Sequence, residues 1–405
     1  MISVINIIQT ISSKILYLRT LDHVFVETDT ISVGNNAVTA RCRIMGREGK
    51  WLIKCYYRKK SNLERIYDTY FYPKELSLYS IDGRMESIDV VVMPWIEGKT
   101  LDSYIGAADS DYPTLSKSFD RLAYTTLSAE YAHGDIKPDN IIVRENMEMV
   151  LIDFDGMWAE SYGMDSMEEM GTKSYRHPRR DRNYCSKSID DYPIALISTA
   201  LAALSLEPKT MEQYINADGT LFDPQQILND RDRALNTAKE IFMAHGDAAH
   251  YRIASALNTP YPSIYNLRSY FLHAIHPAPD VVKRGAEAER EGIFWGYKCD
   301  GEWVVPPLYE SCDDPKHGAC RMMLGKRKIY LPIEGESLPD IEKLENNTLN
   351  SGKQWTIDDD TRLATHIFDG HRLSTIARHL GRSETAIRAR IAKLQLPLTE
   401  SNHRR

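Results

Sequence analysis

The chain has 405 residues, enough for two or three domains, with 42% hydrophobic and 26% charged residues, an ordinary globular balance. Its six cysteines form no CxxC pair, which excludes a zinc ribbon on spacing and reads as reduced thiols, not a disulfide framework. The net charge of −7 is unevenly spread: residues 371–405 hold eight Lys and Arg against two Asp and Glu, or +6, leaving −13 for the other 370, so an anionic partner is expected for the tail alone.

In chain order, the apolar residues 1–8 lack a preceding basic region and a small-residue cleavage site, which argues against a signal peptide. No apolar run reads as long enough to cross a bilayer, so a cytoplasmic chain without a membrane partner is expected. Residues 32–38 hold one glycine, Gly34, beside Asn35 and Asn36, which tolerate tight-turn geometry. Residues 37–44 alternate small or apolar with polar side chains. A turn with Gly46 and Gly49 follows, then the β-favouring run 51–56, so a hairpin is predicted with Lys54 on its second strand. Residues 90–101 read VVVMPWIEGKTL, a strand running into a turn. Residues 117–132 carry Phe119, Leu122, Ala123, Leu127 and Tyr131 at helical spacing and lead into His133.

The most informative stretch is HGDIKPDNIIVRENMEMVLIDFDG at 133–156. It joins His133, Asp135, Lys137 and Asn140 to Asp153, Phe154 and Asp155 through a short hairpin. A migrating phosphoryl group needs little covalent chemistry from a protein. It needs a base aimed at the acceptor hydroxyl, oxygen ligands for Mg²⁺, and a cation on the moving charge. Asp135, Asn140, Asp153 and Lys137 supply those groups in that order. The alternative is a buried turn satisfied by His133, Asp135 and Asn140 in a protein that no longer catalyses.

This HGDxKPxN and DFDG combination resembles the catalytic loop and metal-binding motif of the eukaryotic-like Ser/Thr protein kinases, in particular a bacterial branch with appended modules. The resemblance covers roughly residues 20–275. It implies an α+β, bilobal fold over 1–280, with an N-lobe to about 95 and a C-lobe from about 96. It further implies ATP and Mg²⁺ as cofactors and a protein substrate. Asp135 would be the base, Lys137 would stabilise the γ-phosphate, and Asn140 and Asp153 would hold Mg²⁺. Lys54 would hold the α- and β-phosphates and pair with a helical glutamate, Glu75 or else Glu64, although Pro73 argues against a helix through Glu75. Gly34 would belong to the phosphate-covering loop, Met93 would be the gatekeeper, and the backbone of Trp95 and Ile96 would face the adenine. His133 would brace the loop, and Asp190, with Asp191 as runner-up, would bind its backbone.

The chain departs from the family in its glycine-poor phosphate loop, in lacking the APE motif near His177-Pro178, and in placing Gly134 where many relatives carry arginine. Without that arginine, activity is expected not to depend on phosphorylation of Thr172 or Ser174. Three rivals stay open: a small-molecule phosphotransferase, a non-catalytic nucleotide sensor, and a DNA-associated adaptor.

Residues 285–333 change character, with Trp295-Gly296-Tyr297, Asp300-Gly301 and Trp303-Val304-Val305-Pro306-Pro307. They resemble about one and a half WG β-repeats, a unit expected to need another surface to bury its apolar face. Residues 334–353 read as a linker. Residues 354–405 then present a capped helix, a second helix ending at Leu380-Gly381, and a third entered through Arg382-Ser383. They resemble helix-turn-helix or Myb/SANT-like trihelical modules. Ala386, Ile387, Ile391 and Leu394 form the expected core stripe. Duplex DNA is the partner this resemblance implies, contacted by Arg382, Ser383, Arg388 and Arg390.

Overall fold

A computed structural model describes residues 2–13, 16, 18–21, 23–277, 279–313, 315, 318–338, 350 and 352–397. The predicted linker, 334–353, lies largely outside the described residues. The chain forms two compact units, Met1–Pro277 and Ala278–Arg405.

The first unit opens with helix α1 (Val4–Ile11), capped by Ser3, whose side chain accepts from the Asn6 amide. An antiparallel sheet follows: β1 (Val24–Val26), β2 (Ser32–Val33), β3 (Ala37–Ile44), β4 (Trp51–Tyr56), β5 (Phe71–Tyr79) and β6 (Met85–Pro94). Its spatial order is β1-β3-β4-β6-β5, with β2 on the outer part of β3, so the sheet curls. Ile7 and Ile11 of α1 pack on Val38, Ala40, Ile53, Leu76, Val90 and Val92. The alternation of small and branched residues on β3, β4 and β6 puts these side chains on one face, which is what buries them together. Helix α2 (Leu63–Tyr67) is short and ends before β5.

Glu75 therefore lies on a strand, contrary to expectation. Phe71, Tyr72, Leu76 and Leu78 favour strand pairing with β6, and a bulge between Tyr72 and Leu76 absorbs Pro73 and Lys74, the latter at φ +50°.

After β6 come β7 (Lys99–Thr100) and α3 (Tyr112–Ser128), capped by Asp111. Then follow β8 (Tyr131–Ala132), β9 (Ile141–Val143), β10 (Met149–Leu151) and β11 (Trp158–Ala159). β9 lies between β7 and β10, and β8 pairs with β11. Helix α4 (Asp191–Leu206) is the core of the helical part, with fourteen of its sixteen residues buried. Shorter helices, α5 (Pro208–Glu212), α6 (Pro224–Leu228), α7 (Arg233–His245), α8 (Ala248–Ala256) and α9 (Leu267–Ile275), complete it. The segment Lys187–Leu206 is long and apolar enough by composition to cross a membrane, which the sequence reading missed; 89% of its apolar window is buried inside the protein.

In the second unit, β12 (Glu287–Glu291), β13 (Phe294–Cys299) and β14 (Glu302–Tyr309) form one sheet. β15 (Ser311–Cys312), β16 (Ala319–Leu324) and β17 (Arg327–Pro332) form another. The Asp300-Gly301 turn has both residues at positive φ, as a two-residue hairpin requires. These strands were expected to need an outside surface. Instead β13 meets β15 and β14 meets β16, and Tyr297, Val305, Leu308, Cys320, Met322 and Leu324 become buried. Tyr297 donates its hydroxyl to the carbonyls of Asp313 and Arg321, tying one sheet to the other. Gly296 is needed there because a Cβ would lie 2.3 Å from the Val305 carbonyl oxygen.

Three helices, Ile357–Phe368, Leu373–Leu380 and Glu384–Leu394, end the described chain. Thr356 and Asp359 form a capping box, and Ser383 caps the third helix by accepting from the Ala386 amide. Leu363, Ile367, Ile376, Leu380, Ile387 and Ile391 are their core, with Leu394 packed against it.

Candidate functional site

A cleft of about 480 Å³ opens in the first unit beside the curled sheet. Its lining includes Lys54, Asp135, Lys137, Asn140, Asp153 and Asp155 at the polar end. Met93, Trp95 and Ile96 line it too, as does Gly34 in the β2–β3 turn. Residues from five separate segments thus face one space.

The loop after β8 is built around two buried groups. His133 is fully buried; its Nε2 lies 2.8 Å from the Ile152 carbonyl, and its Nδ1 accepts from the Asp135 amide at 3.3 Å. Those partners assign the proton to Nε2. Asp190, 1% exposed, accepts the His133 amide at 2.5 Å and the Gly134 amide at 2.9 Å. Burial pushes its carboxyl up, opposed by His133, the two amides and Arg180.

Gly134 sits at φ +88°, and a Cβ there would stand 2.0 Å from the Gly156 carbonyl oxygen. No arginine fits this position. A different arginine serves the loop: Arg180, 5% exposed, donates to the Gly134 carbonyl at 3.2 Å.

Asp135 accepts the Thr172 amide at 2.6 Å on Oδ1 and keeps Oδ2 3.8 Å from the Lys137 ammonium. Asn140 donates to the Asp135 carbonyl at 2.8 Å. The β9–β10 hairpin sets Asn140 at its start and Asp153 just past its end, because the Ile152 amide donates to the Asn140 carbonyl. Asp153 takes the left-handed conformation at φ +65°, turning its carboxylate into the cleft, where 46% of the side chain is exposed.

Lys54 does not meet a helical glutamate. Its ammonium lies 2.5 Å from Asp153 and 2.8 Å from Asp155. Burial alone would push this ammonium down, but the two carboxylates outweigh it and its pKa stands above the ordinary lysine value. Asp155 also accepts the hydroxyls of Tyr56 at 2.8 Å and Tyr67 at 2.6 Å. The Asp153-Phe154-Asp155 string shows two acids close together in the sequence, but nothing local says which cation Asp155 meets.

Glu75, by contrast, is 1% exposed and accepts the Thr20 amide at 2.6 Å, the Leu21 amide at 3.0 Å and the Thr20 hydroxyl at 2.9 Å. It holds the chain entering β1 and does not line the cleft. Glu64, exposed on α2, does not reach Lys54 either.

At the other wall, the Trp95 amide donates to the Lys50 carbonyl at 2.9 Å, which takes that one amide out of the Trp95-Ile96 backbone expected to face a ligand. The segment after β11 folds back over the cleft: Lys60 bonds the Asp155 carbonyl at 3.1 Å and Glu169 at 2.6 Å, and Asn36 bonds Glu169 as well.

The third of the three C-terminal helices does not present its arginines as predicted. Arg382 is 3% exposed and donates to the carbonyls of Asn350, Lys353 and Gln354 and to the Asp359 carboxylate, with its guanidinium over the Trp355 ring. Arg390 is paired through two nitrogens with Asp360, at 2.7 and 2.6 Å. Ser383, though exposed, accepts the Ala386 amide as the cap, and of the three arginines only Arg388 is exposed. A Trp355 platform between two arginines and a triple-aspartate first turn is the feature that draws these charges inward.

No protein-family model and no curated protein matches this chain.

Proposed function

We propose that residues 1–277 carry out ATP-dependent phosphoryl transfer to Ser or Thr hydroxyls of a protein, on a bilobal kinase-like fold. The observation that carries this reading is the meeting of Asp135, Asn140, Asp153 and Lys54 in one cleft whose other wall is apolar. Hard oxygen donors, the Asn140 amide and the Asp153 carboxylate, fit Mg²⁺, and the Leu52, Met93 and Ile142 side fits a base. When bound, Mg²⁺ would neutralise charge developing between the terminal phosphates.

The protein's own groups would do the rest. Asp135 Oδ2 accepts the hydrogen of the acceptor hydroxyl while Oδ1 stays anchored on the Thr172 amide. Lys137, 26% exposed beside it, offsets negative charge at the point of transfer. Lys54 is held ready by Asp155, so it can turn from Asp153 to a phosphate without losing a carboxylate partner.

Purified chain incubated with Mg-ATP and a mixture of protein acceptors is expected to incorporate label, and Asp135→Asn or Asp153→Ala to abolish it. Nucleotide binding without transfer in the wild type would point to the sensor reading, and transfer confined to small hydroxyl compounds to the small-molecule one. For the C-terminal helices, duplex DNA remains the proposed partner through Arg388, now without Arg382 and Arg390.

A further inference from the structure

We propose that the C-terminal helices hold a divalent transition ion of the zinc class between His366, Asp369, His371 and His379. This site is independent of the phosphoryl-transfer reading. His366 lies in the last turn of Ile357–Phe368, Asp369 is that helix's C-cap, His371 is in the following turn, and His379 is in the last turn of Leu373–Leu380. The cluster is therefore made by a helix end, a turn and a second helix end folding onto one another.

One ligand atom from each of His366, Asp369 and His371 lies within 4.8 Å of the other two. The Nδ1 atoms of His366 and His371 are 3.4 Å apart. Two nitrogens bound to one tetrahedral Zn²⁺ at about 2.0–2.1 Å stand about 3.3 Å from each other. The His379 ring centroid is 4.9 Å from that of His366 and 6.2 Å from that of His371, while His366 and His371 are 5.1 Å apart. Imidazoles radiating from one tetrahedral ion place their centroids about 5 Å apart on the same bond lengths.

Three imidazoles and one carboxylate suit zinc, cobalt or nickel, and not magnesium or calcium, which prefer all-oxygen shells. His366 and His371 are half-buried and Asp369 and His379 are exposed, so an ion has a path in. The Arg362 guanidinium donates to the His379 carbonyl at 3.3 Å. It adds a positive charge that the Asp369 carboxylate offsets. Among the described residues, His366, Asp369 and His371 are the one group of three or more His, Cys, Asp or Glu side chains with such spacing, and the His379 ring stands beside them. It also brings together residues that no sequence motif joins, since the spacing of 366, 369, 371 and 379 matches no zinc-finger pattern.

The test uses the untagged full chain, stripped with chelator and titrated with Co²⁺, whose visible ligand-field band reports four-coordination. One equivalent is expected, with the band erased by Zn²⁺. His366→Asn and His371→Asn should each weaken binding by more than about a hundredfold, beyond the loss seen when only a hydrogen-bond partner of a ligand is removed. His276→Gln, exposed and in the first unit, should bind as wild type. Absence of a stoichiometric band in the wild type overturns the site. So does a band that persists unchanged in the His366→Asn/His371→Asn double variant. Circular dichroism of the metal-free proteins checks that the variants fold, and the wild-type titration decides the question even if they do not.

Discussion

Asp155 and Glu75 separate two assignments of the acid that serves Lys54. In Asp155→Asn the amide oxygen can still accept the Tyr56 and Tyr67 hydroxyls, but its NH₂ then faces the Lys54 ammonium from 2.8 Å. The gross attraction lost at that distance is about 6 kcal/mol at an effective dielectric constant near 20. Desolvation cancels much of it for a pair this buried, leaving about 2–3 kcal/mol. Lys54 would then close on Asp153 alone and tie up the carboxylate that metal binding requires. Affinity for a fluorescent Mg-ATP analogue should fall by about tenfold or more.

Glu75→Gln leaves the cleft untouched. It replaces a carboxylate with three donors by an amide whose NH₂ takes the place of Oε2, an oxygen that has no hydrogen-bond partner. Stability should fall by about 2–4 kcal/mol, read as a lower urea midpoint, with nucleotide affinity unchanged. If Glu75→Gln loses nucleotide binding as Asp155→Asn does while remaining folded, or if Asp155→Asn binds like wild type, the reasoning about Lys54 is wrong.

The remaining predictions rest on other parts of the fold. Gly134→Ala should cost about 3–5 kcal/mol and reduce soluble yield, because a Cβ at that positive φ collides with the Gly156 carbonyl; a wild-type melting temperature would contradict it. Thr172→Ala and Ser174→Ala should keep turnover within about twofold, since Asp135 uses only the Thr172 backbone amide and Arg180 already supplies a buried cation to the loop.

Asp191 carries a pH signature: burial pushes its carboxyl up to about 7 from an ordinary 3.8. The native state therefore binds the extra proton between those values, and stability falls as pH rises through them, by up to about 4 kcal/mol. Asp191→Asn keeps an acceptor for the Ile264 amide and should flatten that slope in urea melts at pH 4.5 and 8. Finally, Arg382→Met should destabilise the C-terminal helices by about 3–5 kcal/mol. Arg388→Ala should leave stability unchanged and reduce duplex binding and its salt slope by about one ion. Equal duplex binding by Arg388→Ala and wild type at low salt would remove DNA as the partner.

Much of the fold was legible along the chain. The 37–44 and 51–56 strands, the Asp300-Gly301 turn, the capped helix that opens residues 354–405 and the β9–β10 hairpin depend on alternation, turn geometry and capping within a few residues, and those are local properties. The closeness of Asp135, Asn140 and Asp153 also followed from spacing, because one short hairpin must return the chain beside its own start. The choice of partners was not legible. Asp155 and Glu75 are both acids with an apolar neighbour in sequence, and only the path of β5 and the turn after Asp153 decides which reaches Lys54. Arg382, at the entrance of a basic helix, and Arg390, within it, read as outward-facing until Trp355 and the Asp359-Asp360 turn fold against them. His366, His371 and His379 become neighbours solely because two helix ends meet at one turn. An ion pair or a ligand set is a through-space relation between side chains, and its energy depends on distance and burial that no window of sequence contains.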